Sequence, residues 1–169
     1  DPYKDTIPSL PQEIITKAYN CYKYFYDTIS FVQDEVNQEN MVVIISGSNK
    51  DACHVEKLVN EIKNANILVE TYIASAHLNI REVLQIIEKY NKYERNIVWV
   101  TVAGKSNALS GVVAANTNYP VIACPPFSNK TDMMVNLHST LQCPRSVPVM
   151  TVLEPFNVAL SIKRIFNFV

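Results

Sequence analysis

The chain has 169 residues, of which 48% are hydrophobic and 18% are charged, and its formal net charge is −1. These values fit one globular domain that buries a core, and the lack of a basic excess argues against a nucleic-acid partner. No apolar run approaches the roughly 20 residues of a membrane span, which argues against a membrane partner. The four cysteines lack the close spacing of metal sites, so we expect a cytoplasmic protein with reduced thiols.

The first forty residues differ from the rest and predict an N-terminal extension. Residues 1–10 contain two prolines and no apolar periodicity, which indicates an extended lead-in. From Pro11 to about Phe31 the apolar residues recur at helical spacing, and the polar segment QDEVNQEN that follows predicts a linker. Because the chain begins at Asp1 rather than Met, we expect a piece of a longer protein. The predicted domains are an extension over residues 1–40 and an α/β domain over residues 41–169.

In the second part of the chain, continuous apolar strands alternate with helices. The predicted strands are 41–46, 66–74, 96–103, 119–125 and 147–153. The predicted helices are 52–64, 80–93, the segment KSNALSGVVAANT, 131–142 and 157–166. Strands that are apolar throughout and alternate with helices are typical of a parallel sheet covered on both faces. The sequence therefore predicts a three-layer α/β domain, flavodoxin-like or Rossmann-like, preceded by an N-terminal helix.

The turns that follow the first four predicted strands are the candidates for a ligand site, because ligands bind at the carboxyl ends of such strands. These turns are rich in small and hydroxyl-bearing residues: SGSNKD, SAHLN, AGKSNALSG and CPPFSNK. Gly47 and Gly104 directly follow strands, where glycine permits a tight turn or the close approach of a ligand. The fourth turn contains two prolines, and we interpret it as a rigid wall.

Each of the first three turns has two interpretations. SGSNKD either leads into a helix capped by Asp51 or cradles a phosphate or hydroxyl group at the helix N-terminus. His77 is either a satisfied, partly buried ring or a proton donor and acceptor, whereas His54 and His138 fall inside predicted helices and suit surface or packing roles. The segment AGKSNALSG either packs closely within the domain or lines a ligand pocket or an oligomer interface. No second histidine or carboxylate accompanies His77 at metal-ligand spacing, so we expect no metal site.

The motifs GSNKD, SAH, AGKSNAL, YPVIACPP, LQCP and TVLEP resemble, in order and spacing, the phosphoribosylaminoimidazole carboxylase family over residues 41–168. The AGKSN turn resembles the animal type, which carboxylates aminoimidazole ribonucleotide directly with carbon dioxide in de novo purine biosynthesis. The segment from Tyr3 to Ser30 is similar to the last helix of phosphoribosylaminoimidazole-succinocarboxamide synthase, which animals fuse in front of the carboxylase. The resemblance implies a homo-oligomer, an octamer, with a fused or adjacent synthase domain. It also implies aminoimidazole ribonucleotide or its carboxylated product as ligand, carbon dioxide as substrate and no cofactor.

The same resemblance implies roles for individual residues. His77 matches the acid/base histidine that moves the proton on the imidazole carbon that becomes carboxylated. The implied substrate-binding residues are Gly47, Ser48 and Asp51 in the first turn, Ser75 and Ala76 beside the histidine, and Gly104, Lys105, Ser106 and Asn107 in the third turn.

The sequence departs from the family's pattern in four places, one of which is a pair of residues. Leu78 stands where the family has arginine or lysine on the substrate phosphate, Lys50 replaces a serine, Ala108 replaces a glycine, and Phe156-Asn157 replace a glutamate–glycine pair. Loss of the phosphate-binding cation removes a contact worth roughly 1.5–3 kcal/mol. Two hypotheses follow: a working carboxylase that binds the phosphate through Lys50 and Lys105, or a catalytically degenerate relative that serves as an oligomeric scaffold or binds a different ligand.

Overall fold

The computed structural model describes residues 11–33 and 40–167, and the chain divides into two compact units, Asp1–Val36 and Asn37–Val169. The predicted lead-in and most of the predicted linker lie outside the described residues. In the first unit the described residues form one helix, α1 (Gln12–Gln33). The carbonyl of Pro11 accepts hydrogen bonds from the N–H groups of Ile14 and Ile15, so α1 begins where the sequence predicted.

The second unit is an alternating α/β domain. Its strands are β1 (Asn40–Ser46), β2 (Leu68–Ile73), β3 (Asn96–Val102), β4 (Val121–Ala123) and β5 (Met150–Thr151). Its helices are α2 (Ala52–Asn64), α3 (Ile80–Tyr90), α4 (Ala108–Ala115), α5 (Lys130–Leu141) and α6 (Pro155–Phe166), with a 3₁₀ helix, Asn49–Asp51, before α2. All strand pairs are parallel, in the order β2-β1-β3-β4-β5. This is the flavodoxin-like order, so the predicted fold is confirmed.

The sheet is covered on both faces because successive side chains of a strand point to opposite sides. Val43 and Ile45 of β1 belong to the core cluster that contains the buried residues of α3 and α4. Val42 and Ile44 belong to the cluster that contains the buried residues of α2 and α6. The fully apolar run that predicted β1 thus serves two cores at once.

Strands β4 and β5 are shorter than predicted. Pro120, Pro125 and Pro148 lie inside the predicted spans and carry no N–H group to donate to a neighbouring strand. Only Val121–Ala123 and Met150–Thr151 make strand pairs. The apolar composition correctly predicted both strands, but the prolines shorten the part of each strand that pairs with its neighbours.

Helix α3 ends at Tyr90, three residues before the predicted end. The N–H of Tyr93 donates to the carbonyl of Tyr90 at 3.0 Å in the turn that follows the helix. The ring of Tyr93 stacks on that of Tyr90, with 5.4 Å between the centroids. The ring of Tyr93 therefore packs on the last residue of α3, although Tyr93 itself lies in the turn after the helix.

A polar cluster joins β2 to the end of α3. The carboxylate of Glu70 accepts hydrogen bonds from the hydroxyls of Tyr72 at 2.9 Å and Tyr90 at 2.5 Å, and Lys89 Nζ lies 3.6 Å away. The bond from Tyr90 lowers the pKa of Glu70 below its usual 4.5, and burial together with Glu70 raises the pKa of Tyr90. The carboxylate therefore stays ionised and the phenol stays protonated around neutral pH.

Tyr90→Phe should lower the free energy of unfolding by about 1.5–3 kcal/mol near neutral pH, because a buried donor to a charged group is lost. The lowered pKa of Glu70 adds stability above its ordinary value, and that stability is lost as the pH falls through the folded-state value. The difference between wild type and variant should therefore shrink in acid. Urea unfolding at about pH 7 and about pH 3 measures both effects.

Tyr119→Phe is the matched control, since that hydroxyl donates to a backbone carbonyl, of Tyr93, at 3.0 Å in an exposed position. We expect a smaller loss of stability with no dependence on pH. A Tyr90→Phe effect of the same size at both pH values would contradict the role given to Glu70.

Candidate active site

Three of the candidate turns meet at the carboxyl ends of β1, β2 and β3. Gly47 N–H donates to the carbonyl of Val102, and Ala74 N–H donates to the carbonyl of Ser46, both at 2.9 Å. The parallel pairing thus continues one residue past β1 and past β2, and the turns leave the sheet at one level. Together they line a cavity of about 120 Å³. Its walls are Gly47, Ser48, Asp51, Ser75, Ala76, His77, Ala103, Gly104, Ser106 and Leu109.

Most of the residues predicted from the sequence line this cavity, but Lys50, Lys105 and Asn107 do not. Their predicted roles in binding remain predictions. Ala103 and Leu109 line the cavity and were not predicted. Leu109 stands three residues after Ser106, a spacing that could have placed both on one side of the helix start.

Two residues of the first turn occupy cap positions. Ser48 Oγ accepts a hydrogen bond from the N–H of Lys50 at 3.1 Å and so begins the 3₁₀ helix. Asp51 occupies the N-cap position of α2, as one interpretation had it, but its side chain makes no capping hydrogen bond. Its carboxylate belongs to the cavity wall, where partial burial raises its pKa above the usual 3.8 and nearby His54 acts in the opposite direction.

The second turn presents His77 as an exposed ring. The side chain of Asn79 closes the turn, because its Oδ1 accepts from the N–H of Ser75 at 2.6 Å. Ser75 Oγ in turn accepts from the N–H of His77 at 3.4 Å. Within the described part of the chain, no hydrogen bond holds the imidazole itself. The alternative of a buried, satisfied ring therefore does not hold, and the imidazole is accessible to a ligand.

In the third turn, the unusual backbone conformation lies at Lys105, with φ 58°, and not at Gly104. The expectation that this glycine supplies the tight conformation is therefore wrong. Gly104 instead permits close packing, because a Cβ there would lie only 3.3 Å from Asn136 Nδ2, a tight contact. Asn107 is buried and caps α4, since its Oδ1 accepts from the N–H of Ser110 at 3.2 Å.

Helix α4 packs inside the domain, as one of the two interpretations had it. Leu109, Ser110, Val113 and Ala114 are buried, and the helix lies against β3, β4 and α5. Gly111 is not needed for close packing, because a Cβ there would make an ordinary 3.8 Å contact with Cys143 Sγ.

The other two histidines lie outside the cavity. His138 is exposed on α5, and His54 Nε2 lies 3.3 Å from Sγ of the buried Cys124. Burial lowers the pKa of His54 and raises the pKa of Cys124 to about 12, so both groups are neutral near pH 7. The contact joins the first turn of α2 to the end of β4, which is the packing role predicted for His54.

No lysine or arginine is found among the described residues that line the cavity. Leu78, at the position of the family's cation, is 89% exposed, and Lys50 and Lys105 are both exposed. In residues 11–33 and 40–167, no cluster of three acidic, histidine or cysteine side chains could hold a metal ion. No helix in these residues is long and apolar enough to span a bilayer.

Sequence comparison with known proteins points to one family. A sequence model of the AIR carboxylase family matches residues 41–168. The chain is 41% identical over 148 residues to a phosphoribosylaminoimidazole carboxylase of Archaeoglobus fulgidus, covering 87% of this chain and 79% of that protein. It is 39% identical over 123 residues to the bifunctional phosphoribosylaminoimidazole carboxylase/phosphoribosylaminoimidazole succinocarboxamide synthetase of Drosophila melanogaster, covering 73% of this chain but only 28% of that protein.

Solved structures support the same assignment. The crystal structure of Treponema denticola PurE matches with a TM-score of 0.73 at 36% identity, over 76% of this chain and 81% of that chain. The family match extends over more than half of the chain and contains all three turns of the cavity. The chain therefore belongs to the AIR carboxylase family.

Proposed function

We propose that this protein carboxylates aminoimidazole ribonucleotide in purine biosynthesis. The observation that carries the proposal is the convergence of His77, Asp51 and Ser106, from three different turns, on one cavity in a chain of this family. A proton carrier, a hydrogen-bond acceptor and a hydroxyl group then surround one point at the carboxyl edge of the sheet, where ligands of such folds bind.

The reaction requires little of the protein beyond orientation and one proton transfer. The ring carbon that becomes carboxylated is enamine-like and attacks the carbon of carbon dioxide, so that a C–C bond forms and one C=O electron pair moves to oxygen. The proton on that ring carbon then leaves, its bonding electrons restore the aromatic ring, and the imidazole of His77 accepts it. In decarboxylation His77 returns the proton to the same carbon.

The other cavity residues hold the nucleotide in this proposal. Ser48 and the Asp51 carboxylate bind the ribose hydroxyls and the base, and the charge on Asp51 strengthens the hydrogen bonds that it accepts. Ser75 and Ala76 leave room beside His77, while Gly104 and Ser106 cover the carbon dioxide pocket.

We also propose that carbon dioxide is used directly and without a cofactor, since the turn from Gly104 to Asn107 resembles the animal type.

Ligand pockets generally measure about 300–1,000 Å³, more than this cavity provides. This supports a homo-oligomer, proposed as an octamer, in which neighbouring copies complete the nucleotide site. The bifunctional relatives support a fused or adjacent synthase domain, and the pathway supports a cytoplasmic protein.

His77→Asn should lower kcat by about 10²–10⁴-fold with little change in KM, because the asparagine side chain keeps a polar group but cannot carry the proton. The assay follows decarboxylation of carboxyaminoimidazole ribonucleotide and its formation from aminoimidazole ribonucleotide and bicarbonate. His138→Asn, at an exposed histidine outside the cavity, is the control and should behave as wild type. A His77→Asn variant with undiminished kcat would refute the proton-transfer role. Absence of turnover in the wild type would favour the alternative, a degenerate scaffold.

Lys50→Ser should raise the Kd of carboxyaminoimidazole ribonucleotide about ten- to a hundredfold, because it removes the cation that we assign to the phosphate. Calorimetric titration measures this change. Lys63→Ser, in the last turn of α2, is the control and should leave the Kd unchanged. Adding Leu78→Lys to Lys50→Ser should restore affinity by placing a cation directly after His77. An unchanged Kd in Lys50→Ser would show that this lysine does not bind the phosphate.

A further inference from the structure

The third turn of the cavity is held by side chains of α5. Lys105 N–H donates to Asn136 Oδ1 at 2.6 Å, and Asn107 N–H donates to Ser139 Oγ at 2.6 Å. These two bonds lie on either side of Ser106, which is the residue between them that lines the cavity. Helix α5 itself contributes no residue to the described cavity wall.

Asn136 is fixed on both sides of its amide group. Its Nδ2 donates to the carbonyl of Pro126 at 2.6 Å, so its Oδ1 is the atom that faces Lys105. The residue is only 2% exposed, and a Cβ at Gly104 would make a tight contact of 3.3 Å with the same Nδ2. Asn136 therefore joins the turn after β3 to the proline turn after β4.

A buried network extends this support into the sheet. Asn107 Nδ2 donates to Thr140 Oγ1 at 2.9 Å, and Thr140 Oγ1 donates to the carbonyl of Asn136 at 2.8 Å. Asn107 Oδ1 accepts from Ser110 Oγ at 2.9 Å, and that hydroxyl lies 2.8 Å from Thr101 Oγ1 in β3. The five residues of this hydrogen-bond network are all buried: Thr101, Asn107, Ser110, Asn136 and Thr140.

The side chains of α5 support a segment that is itself exposed, the third turn around Lys105 and Ser106. Lys105 and Ser106 are exposed, so packing of their own side chains into the core does not fix this segment. Lys105 nevertheless adopts a left-handed conformation that a residue with a side chain adopts only when its surroundings impose it. The hydrogen bond from Lys105 N–H to a fully buried amide provides that constraint.

We propose that Asn136 and Ser139 are positioning residues of this site, which hold residues 104–107 in the one conformation that places Ser106 at the cavity wall. The inference rests on the proposed function only for the identity of the ligand. It applies to Asn136, whose Oδ1 binds the third turn and whose Nδ2 binds the proline turn after β4, and to Ser139, which binds the second end of the third turn.

The test compares Asn136→Leu, which keeps the volume but neither bond, with Asn136→Asp, which keeps an acceptor for Lys105 N–H. Each is measured as the full chain for nucleotide kcat/KM and for hydrogen exchange of the Lys105 amide by NMR. We expect Asn136→Leu to lose about ten- to a hundredfold in kcat/KM and to accelerate exchange at Lys105 selectively over core amides. Asn136→Asp should recover most of both properties. Ser139→Ala, which removes a single bond, gives a second comparison if Asn136→Leu does not fold.

Tyr90→Phe is the control for lost stability, because Tyr90 ends α3 while the cavity lies at its start. It should change neither kcat/KM nor the relative exchange rate at Lys105. Wild-type kcat/KM and unchanged Lys105 exchange in Asn136→Leu would overturn the inference. If the wild type shows no turnover, the proposed function fails, and exchange at Lys105 still decides the positioning role: selective acceleration supports it and unchanged exchange refutes it.

Discussion

The site depends on the parallel register of β1, β2 and β3 at their carboxyl ends. Two backbone hydrogen bonds, from Gly47 to Val102 and from Ala74 to Ser46, carry that register into the turns. A slip of one residue would turn every side chain of β1 to the opposite face and would move its apolar residues from one core into the other, which would disrupt the packing of both. Because both faces of β1 are buried, the two cores exclude such a slip. The hydrophobic packing of the sheet thus fixes the relative positions of the three turns.

Each turn then has its own local support. Ser48 caps the first turn, Asn79 closes the second, and Asn136 holds the third. These supporting groups are separate from His77 and Asp51, whose side chains make no hydrogen bond to the described part of the chain. Partial burial at the cavity raises the pKa of Asp51 above its usual value. A carboxylate whose pKa is shifted by burial in a cleft is a candidate functional group.

The sequence predicted the strands more accurately than the contacts of individual side chains. Strands β1 and β3 were predicted almost to the residue, because an apolar run of that length has few alternatives, and the rule of carboxyl-end binding identified the three turns. Asn136 was missed, because a polar residue in a predicted helix looks like part of a solvent-exposed face and its partner, Lys105, lies 31 residues away. Which lysines reach the cavity also depends on tertiary geometry. Lys50 and Lys105 stand in the correct turns, yet neither lines the cavity.

The most direct test is an NMR titration of the protein with carboxyaminoimidazole ribonucleotide that follows the backbone amides. If the three turns form one nucleotide site, the amides of residues 47–51, 75–77 and 104–107 should shift together along one binding curve. Amides at the opposite, amino end of β4, around Tyr119, should not move. Shifts confined to another surface, or no shifts at saturating nucleotide, would contradict the assignment of the nucleotide to this cavity.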